Sequence, residues 1–488
     1  MSERNLAKNT VYYTLALATQ KVLSFVYFIF VARMIGVEDQ GKYSFALSFT
    51  AIFAILLDVG MTQILIRETA KDKKNAPQYL ANVNALKAII AIFIYGLVIL
   101  VINLMGYPPL TKSLVYVSAV VMIMDSFTLS FYGVIRGHQN LKFESFGVVV
   151  NQLIVLAAGL IVLHLHLGLV VLISVYLLGS LFNLLFSGSM LKFRFKIMPR
   201  FALNRKLILT IVKWSLPFAI AGIFSRIYSS MDMILLSKLS GDHAVGIYSV
   251  AYKVAFALQF VALAFSASLY PAFSNYFAHS KEHLSSLFTK SMYWLIILAM
   301  PLAFGIIAIS DKVIGPVFGA KYGPAVAPLN ILMLSLLFIF ICFPIGALLN
   351  ACSRQTRNTV NLGVIALFNV VANLILIPLL SYNGAAISNF LSYALLFILG
   401  ITAVDKIMKY DKKFLLLSLG KIIVCCAAMF LVVYFLKQYL YFAIVIIIGI
   451  AVYLALAYFL KLISPKNTRS FIKEMLNKKI NIESDVQQ

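Results

Sequence analysis

Gly36 to Ala46 reads GVEDQGKYSFA, and Gly241 to Ala251 reads GDHAVGIYSVA. Gly, Gly, Tyr, Ser and Ala recur at one spacing, 205 residues apart, so the chain contains a duplication. The same offset carries Lys21 onto Arg226 and Lys8 onto Lys213. Lys21 and Arg226 both fall near the middle of apolar stretches, where a charge costs about 2.5–3.5 kcal/mol on insertion scales. A cost retained twice points to function.

Working outward, 62% of the 488 residues are hydrophobic and only 12% are charged, which defines a polytopic membrane protein. A net charge of +24 raises nucleic acid as a partner, but no stretch is long and polar enough to form a soluble basic face. The first apolar segment, residues 11–35, is too long for a signal-peptide core and no small-residue cleavage site follows it, so it is expected to stay as a spanning helix. The four cysteines, Cys342, Cys352, Cys425 and Cys426, lie in or beside apolar segments without metal-ligand spacing, and read as packing residues.

With about 20 apolar residues per crossing, the sequence divides into fourteen spans, the second over 43–66, the seventh over 208–237 and the eighth over 244–271. Placing the N-terminus inside puts most of the 41 Lys and Arg into cytoplasmic segments, including Arg67, Lys71, Lys73 and Lys74 after span two. Both termini are therefore expected in the cytoplasm of a plasma-membrane protein. The expected organisation is a six-helix lobe over 1–190, a cytoplasmic linker over 191–207, a second six-helix lobe over 208–404, two added helices over 405–461 and a cytoplasmic tail over 462–488. Six helices per copy is an even number, so the copies share one orientation about an axis along the membrane normal. The expected fold is an all-α, V-shaped transporter of two six-helix repeats plus two C-terminal helices, with spans one, two, seven and eight lining the cleft.

The polar residues inside apolar segments are the candidate site, because such groups normally face a bundle interior or a watery cavity. Gln20, Lys21 and Ser24 share one face of span one, and Ser225, Arg226, Ser229 and Asp232 recur at three to four residues on span seven. Lys253, Gln63 and Gln259 complete the substrate-binding candidates. Asp58, Asp125 and Asp232 are the candidates for coupling to H⁺ or Na⁺; no cofactor or metal is otherwise expected. The alternative is that Asp58 and Asp232 neutralise Lys21 and Arg226 in structural ion pairs. His164 and His166 read as solvated loop residues, Gly36, Gly41, Gly241 and Gly246 as tight turns, and Pro217, Pro271, Pro301 and Pro344 as helix-bending positions. No Walker-type phosphate loop, GxSxG elbow or His/Cys ligand cluster is present, so neither ATP hydrolysis nor covalent catalysis is indicated, and the protein reads as no enzyme.

The runs ARMIGVEDQGKYSFA and LLDVGMTQILIRETAK resemble the first-repeat signature of Wzx-like polysaccharide flippases in the multidrug/oligosaccharidyl-lipid/polysaccharide exporter superfamily. SASLYPAFSNYF, VFGAKYGPAVAPLNIL and IPLLSYNGAAISNFLSYA agree, and the resemblance covers residues 5–460. It implies a flippase that moves a polyprenyl-linked oligosaccharide from the cytoplasmic to the outer leaflet; a monomer is expected, with the glycosyltransferases or polymerase of the same pathway as expected partners. In these relatives cationic cavity residues contact the lipid-linked phosphate, which maps by position onto Lys21, Arg226 and Lys253. The residues themselves agree on the sign of the substrate, since cations in low dielectric bind phosphate strongly. Two rivals stand beside the flippase. One is an ion-coupled drug or metabolite exporter of the same superfamily, which for organic cations needs the reverse polarity. The other is a membrane polysaccharide polymerase, for which the longest outer loop, 311–326, offers only Asp311, Lys312, Lys321 and Tyr322.

Overall fold

The computed structural model describes residues 3–463, so the expected tail lies outside the described residues from 464 onward. Its helices are α1 (Glu3–Ile35), α2 (Val37–Asp58), α3 (Met61–Lys71), α4 (Ala76–Leu104), α5 (Pro109–Gly137), α6 (Lys142–His164), α7 (Leu169–Arg194), α8 (Arg205–Ala257), α9 (Gln259–His279), α10 (Lys281–Phe318), α11 (Val326–Ala351), α12 (Gln355–Asp405), α13 (Lys412–Leu436) and α14 (Phe442–Phe459). Twelve segments among the described residues are long and apolar enough to cross a membrane. Two of these, Phe218–His279 and Gln355–Asp405, are long enough for two crossings and carry a non-helical residue, Gly241 and Ser381 respectively. Counting each of these two as a pair gives fourteen candidate crossings among the described residues, consistent with the hydropathy reading.

One expected span is corrected. Residues 43–66 do not form a continuous helix: α2 ends at Asp58, Val59 and Gly60 both adopt left-handed backbone (φ 45° and 76°), and α3 begins at Met61. Gly60 is needed there for a second reason, since a side chain on it would meet Phe218 and the Ser215 carbonyl of α8.

Contacts divide the chain into two compact units, Met1–Val250 with Ala366–Ala385, and Ala251–Ile365 with Ala386–Gln488. In the first unit, Tyr27, Val31, Tyr43, Phe45, Phe49, Val98, Leu114, Val115 and Ile173 form a continuous buried core. The segment between α7 and α8 is tied down rather than loose: Ile197 is buried, the Ala202 N–H donates to the Ala81 carbonyl, and the Asn204 N–H donates to Asn82 Oδ1 at 2.7 Å. At one end of the bundle, Arg136 of α5 holds Glu144 of α6, while the Tyr13 hydroxyl of α1 donates to Glu144 Oε1 at 3.2 Å and accepts from Arg136 at 3.0 Å.

The duplicated phrase meets itself inside this unit. Gly36 and Gly241 do supply turns, with φ of 92° and 82°. Gly41 and Gly246 do not: they lie within helices, where Gly41 abuts the main-chain carbonyl of Asp242 and Gly246 that of Val37. The turn assignment for those two is therefore corrected to close backbone packing. The offset of 205 also relates a pair of buried contacts. The Tyr27 and Tyr43 hydroxyls lie 3.3 Å apart, and the equivalent positions hold Asp232 and Tyr248, whose hydroxyl donates to the carboxylate at 2.8 Å.

In the second unit, Cys425 and Cys426 pack with Ile422, Met429, Val433 and Tyr453, and Cys352 packs beside Leu348 and Leu349, as apolar residues do. Pro271, Pro301 and Pro344 lie inside helices, while the Pro217 side chain lies outside the described residues. Pro301 lacks the N–H that would bond the Ile297 carbonyl one turn earlier. The Tyr453 hydroxyl of α14 donates to that carbonyl at 2.8 Å and satisfies it.

Candidate functional site

The first unit holds a cavity of about 320 Å³ whose wall is built by four helices. From α2 come Leu47, Thr50, Ala51, Ala54 and Asp58; from α5, Ser118, Val121, Met122, Asp125, Ser126 and Leu129; from α7, Tyr176; and from α8, Arg226. Most of this wall is apolar, and against it stand one guanidinium and two carboxylates. Such a space strengthens any electrostatic contact made within it.

Arg226 is exposed and has no ion-pair partner among the described residues. Ser229, one turn along α8, donates to the Arg226 carbonyl at 3.2 Å. Asp125 is likewise exposed, and its Oδ1 accepts from Ser180 of α7 at 2.6 Å. Asp58 is more enclosed. Its Oδ1 accepts from Thr62 of α3 at 2.5 Å and from Lys87 of α4 at 2.6 Å, and Lys87, fully buried, also donates to the Ser126 carbonyl at 2.8 Å. The acid pairs with Lys87, so the alternative in which Asp58 neutralises Lys21 or Arg226 is not realised in this conformation. Lys87 was legible as a lysine in the apolar run ALKAIIAIFIYGLVIL, costly for the same reason as Lys21. It lacks a partner in the duplication, however, since the offset of 205 carries it onto Met292.

The remaining predicted residues are dispersed. Lys21 is exposed on α1, with Gln20 and Ser24 half-buried nearby, and among the described residues the cavity lining includes Arg226 but not Lys21. Gln63 is exposed on α3, beyond the break. Lys253 and Gln259 are half-buried in α8 and α9 and belong to the second unit. Asp232 shares its helix with Arg226 but not its surroundings. It is buried, its Oδ1 accepts from Asn373 of α12 at 2.7 Å, and Asn373 also donates to Asn369 at 3.0 Å. Span seven thus presents a cation to the cavity and an acid to a buried amide network. His164 and His166 are exposed, His166 at the turn between α6 and α7 with φ 52°.

The profile of the polysaccharide biosynthesis protein family matches residues 6–277, more than half of the chain. The chain belongs to this family. A second profile, MatE, matches residues 217–375, and together the two place the chain in the superfamily its sequence resembles. An uncharacterized membrane protein of Methanocaldococcus jannaschii is 26% identical over 80% of this chain and 83% of its own length. The probable low-salt glycan biosynthesis flippase Agl15 of Haloferax volcanii is 24% identical over 76% of this chain and 78% of its own. Among solved structures, a lipid II flippase MurJ in an inward closed conformation aligns with a TM-score of 0.78 at 16% identity, covering 92% of this chain and 99% of that one. An inward-facing multidrug resistance MATE family transporter aligns with a TM-score of 0.64 at 15% identity, over 80% of this chain and 95% of that one. The chain is accordingly a multi-pass membrane protein with this superfamily's fold, and its family and flippase-named relatives mark it as a transporter rather than an enzyme.

Proposed function

We propose that the protein flips a polyprenyl-(pyro)phosphate-linked oligosaccharide from the cytoplasmic to the outer leaflet of the plasma membrane, supplying cell-surface glycan synthesis, with both termini in the cytoplasm. The observation that carries this reading is Arg226, a guanidinium without an ion-pair partner among the described residues, on the wall of a largely apolar cavity. A planar cation in low dielectric suits a phosphate through paired N–H donors. Relatives carrying flippase or capsular polysaccharide names support the saccharide class. Lys21 and Lys253 are proposed to meet the same anionic head group at other points of the alternating-access cycle, with Gln20, Ser24, Ser229, Gln63 and Gln259 as polar contacts. Binding that favours one conformer over another shifts the cycle, as any ligand with unequal affinity for two states must. Asp58, Asp125 and Asp232 are proposed as the sites where H⁺ or Na⁺ couples to that cycle.

The test is a translocation assay in proteoliposomes on well-expressed variants. Arg226→Ala is expected to lose flipping of a polyprenyl-diphosphate-linked sugar while still inserting, with Arg226→Lys milder because the charge is kept. Normal flipping by the Lys21→Ala/Arg226→Ala double variant, or efflux of organic cations in place of flipping, would overturn the reading.

A further inference from the structure

We infer that Lys87 sets the charge of the cavity: by holding Asp58 in a buried ion pair it leaves Arg226 available to an anionic head group, and so acts as a positioning residue for substrate recognition. The inference rests on the proposed phosphate-linked substrate. Asp58 and Arg226 face one small space with largely apolar walls. An uncommitted carboxylate there would be drawn to the guanidinium, because opposite charges in low dielectric attract strongly. Asp58 also closes α2, where the carbonyl end of a helix disfavours a negative charge. Lys87 answers both demands, reaching Asp58 Oδ1 at 2.6 Å from α4 while its second donor engages the Ser126 carbonyl at 2.8 Å.

Lys87 is fully buried, so it does not itself touch a ligand in the cavity. Its influence passes through Asp58, whose side chain remains 16% exposed. The other charged group on the wall, Asp125, is held by Ser180 from α7. With the Lys87–Asp58 pair balanced internally, Arg226 faces one acid rather than two. The offset of 205 carries Asp58 onto Leu263, so this pair belongs to the first copy alone and is not part of the duplicated frame.

The experiment measures binding of a short-chain polyprenyl phosphate to the full-length protein in nanodiscs, with uncharged polyprenol as control and thermal unfolding recorded in parallel. Lys87→Met is expected to weaken phosphate binding at least about tenfold and leave polyprenol binding unchanged, since Asp58 then turns to Arg226. Asp58→Asn/Lys87→Met, which removes both charges, is expected to return phosphate affinity to within about threefold of the unaltered protein. Unchanged phosphate affinity in Lys87→Met, or a double variant as weak as the single one, would sink the role of Lys87. Should Lys87→Met fail to fold, the charge swap Asp58→Lys/Lys87→Asp decides: it keeps the pair and is expected to bind phosphate no more weakly than the unaltered protein, and weaker binding by the folded swap overturns the inference. Arg226→Ala separates the two levels. If it discriminates phosphate from polyprenol as well as the unaltered protein, the substrate reading itself falls, whatever Lys87 does.

Discussion

Gly41 lies so close to Asp242 that a methyl group in place of its hydrogen would sit 1.8 Å from the Asp242 main-chain oxygen. The relation is reciprocal, because the same group on Gly246 would sit 1.9 Å from the oxygen of Val37, and Val37 and Asp242 are equivalent residues of the two copies. Neither neighbour is a side-chain end that can swing away; both are backbone.

Gly41→Ala and Gly246→Ala are therefore expected to disfavour this conformer, by about 1–3 kcal/mol each as overpacking does, and to shift the protein toward conformers in which the two helices part. Thiol labelling of a cysteine introduced at Gln40, buried here, checks this: its labelling rate should rise in either alanine background. Gly96→Ala is the control, since Gly96 has nothing within 4 Å of its added methyl. An unchanged rate in both variants would mean that the contact does not constrain the cycle.

Tyr453 and Pro301 form a compensated pair. Tyr453→Phe leaves the Ile297 carbonyl without its donor and is expected to cost about 1–3 kcal/mol. Pro301→Ala restores the helical N–H, so in that background the cost of Tyr453→Phe should shrink toward zero. A double-mutant cycle by thermal unfolding measures the coupling, and strictly additive losses would contradict the assignment.

The Tyr13, Arg136 and Glu144 cluster joins three helices. Glu144→Gln strands a half-buried guanidinium and is expected to cost about 3 kcal/mol. Tyr13→Phe removes one hydroxyl and should cost about 1 kcal/mol. Thermal unfolding in detergent ranks the two, and the reverse order would show that Tyr13 rather than the ion pair fastens α1.

The carboxylates are expected to separate by role. Asp125→Asn keeps an acceptor for Ser180 and should stay folded while flipping loses part of its dependence on the ion gradient. Tyr248 and Asn373 donate to different oxygens of Asp232, so Asp232→Asn places an NH2 group against one of these donors and should lose about 1–3 kcal/mol of stability. Flipping that depends on the gradient as before in Asp58→Asn, Asp125→Asn and Asp232→Asn would remove all three from coupling.

The sequence by itself determined the class of protein, the fourteen crossings, the duplication and the presence of costly cations, because each rests on composition or on spacing along the chain. The partners of those cations were decided only by tertiary structure. In a soluble helix, polarity marks the outer face. Here α4 exposes Ile89, Ile92, Phe93, Leu100 and Leu104 while burying Lys87, Ile94 and Val98, so the charge is inside and apolar residues lie on both faces. Periodicity then carries no contrast, and nothing along the chain says that Asp58 turns to Lys87, 29 residues away, rather than to Lys21 or Arg226. The glycines teach the same lesson. Gly36 and Gly41 look alike in sequence, yet one is required by its own backbone angle and the other by the carbonyl of Asp242, a neighbour that only folding brings near.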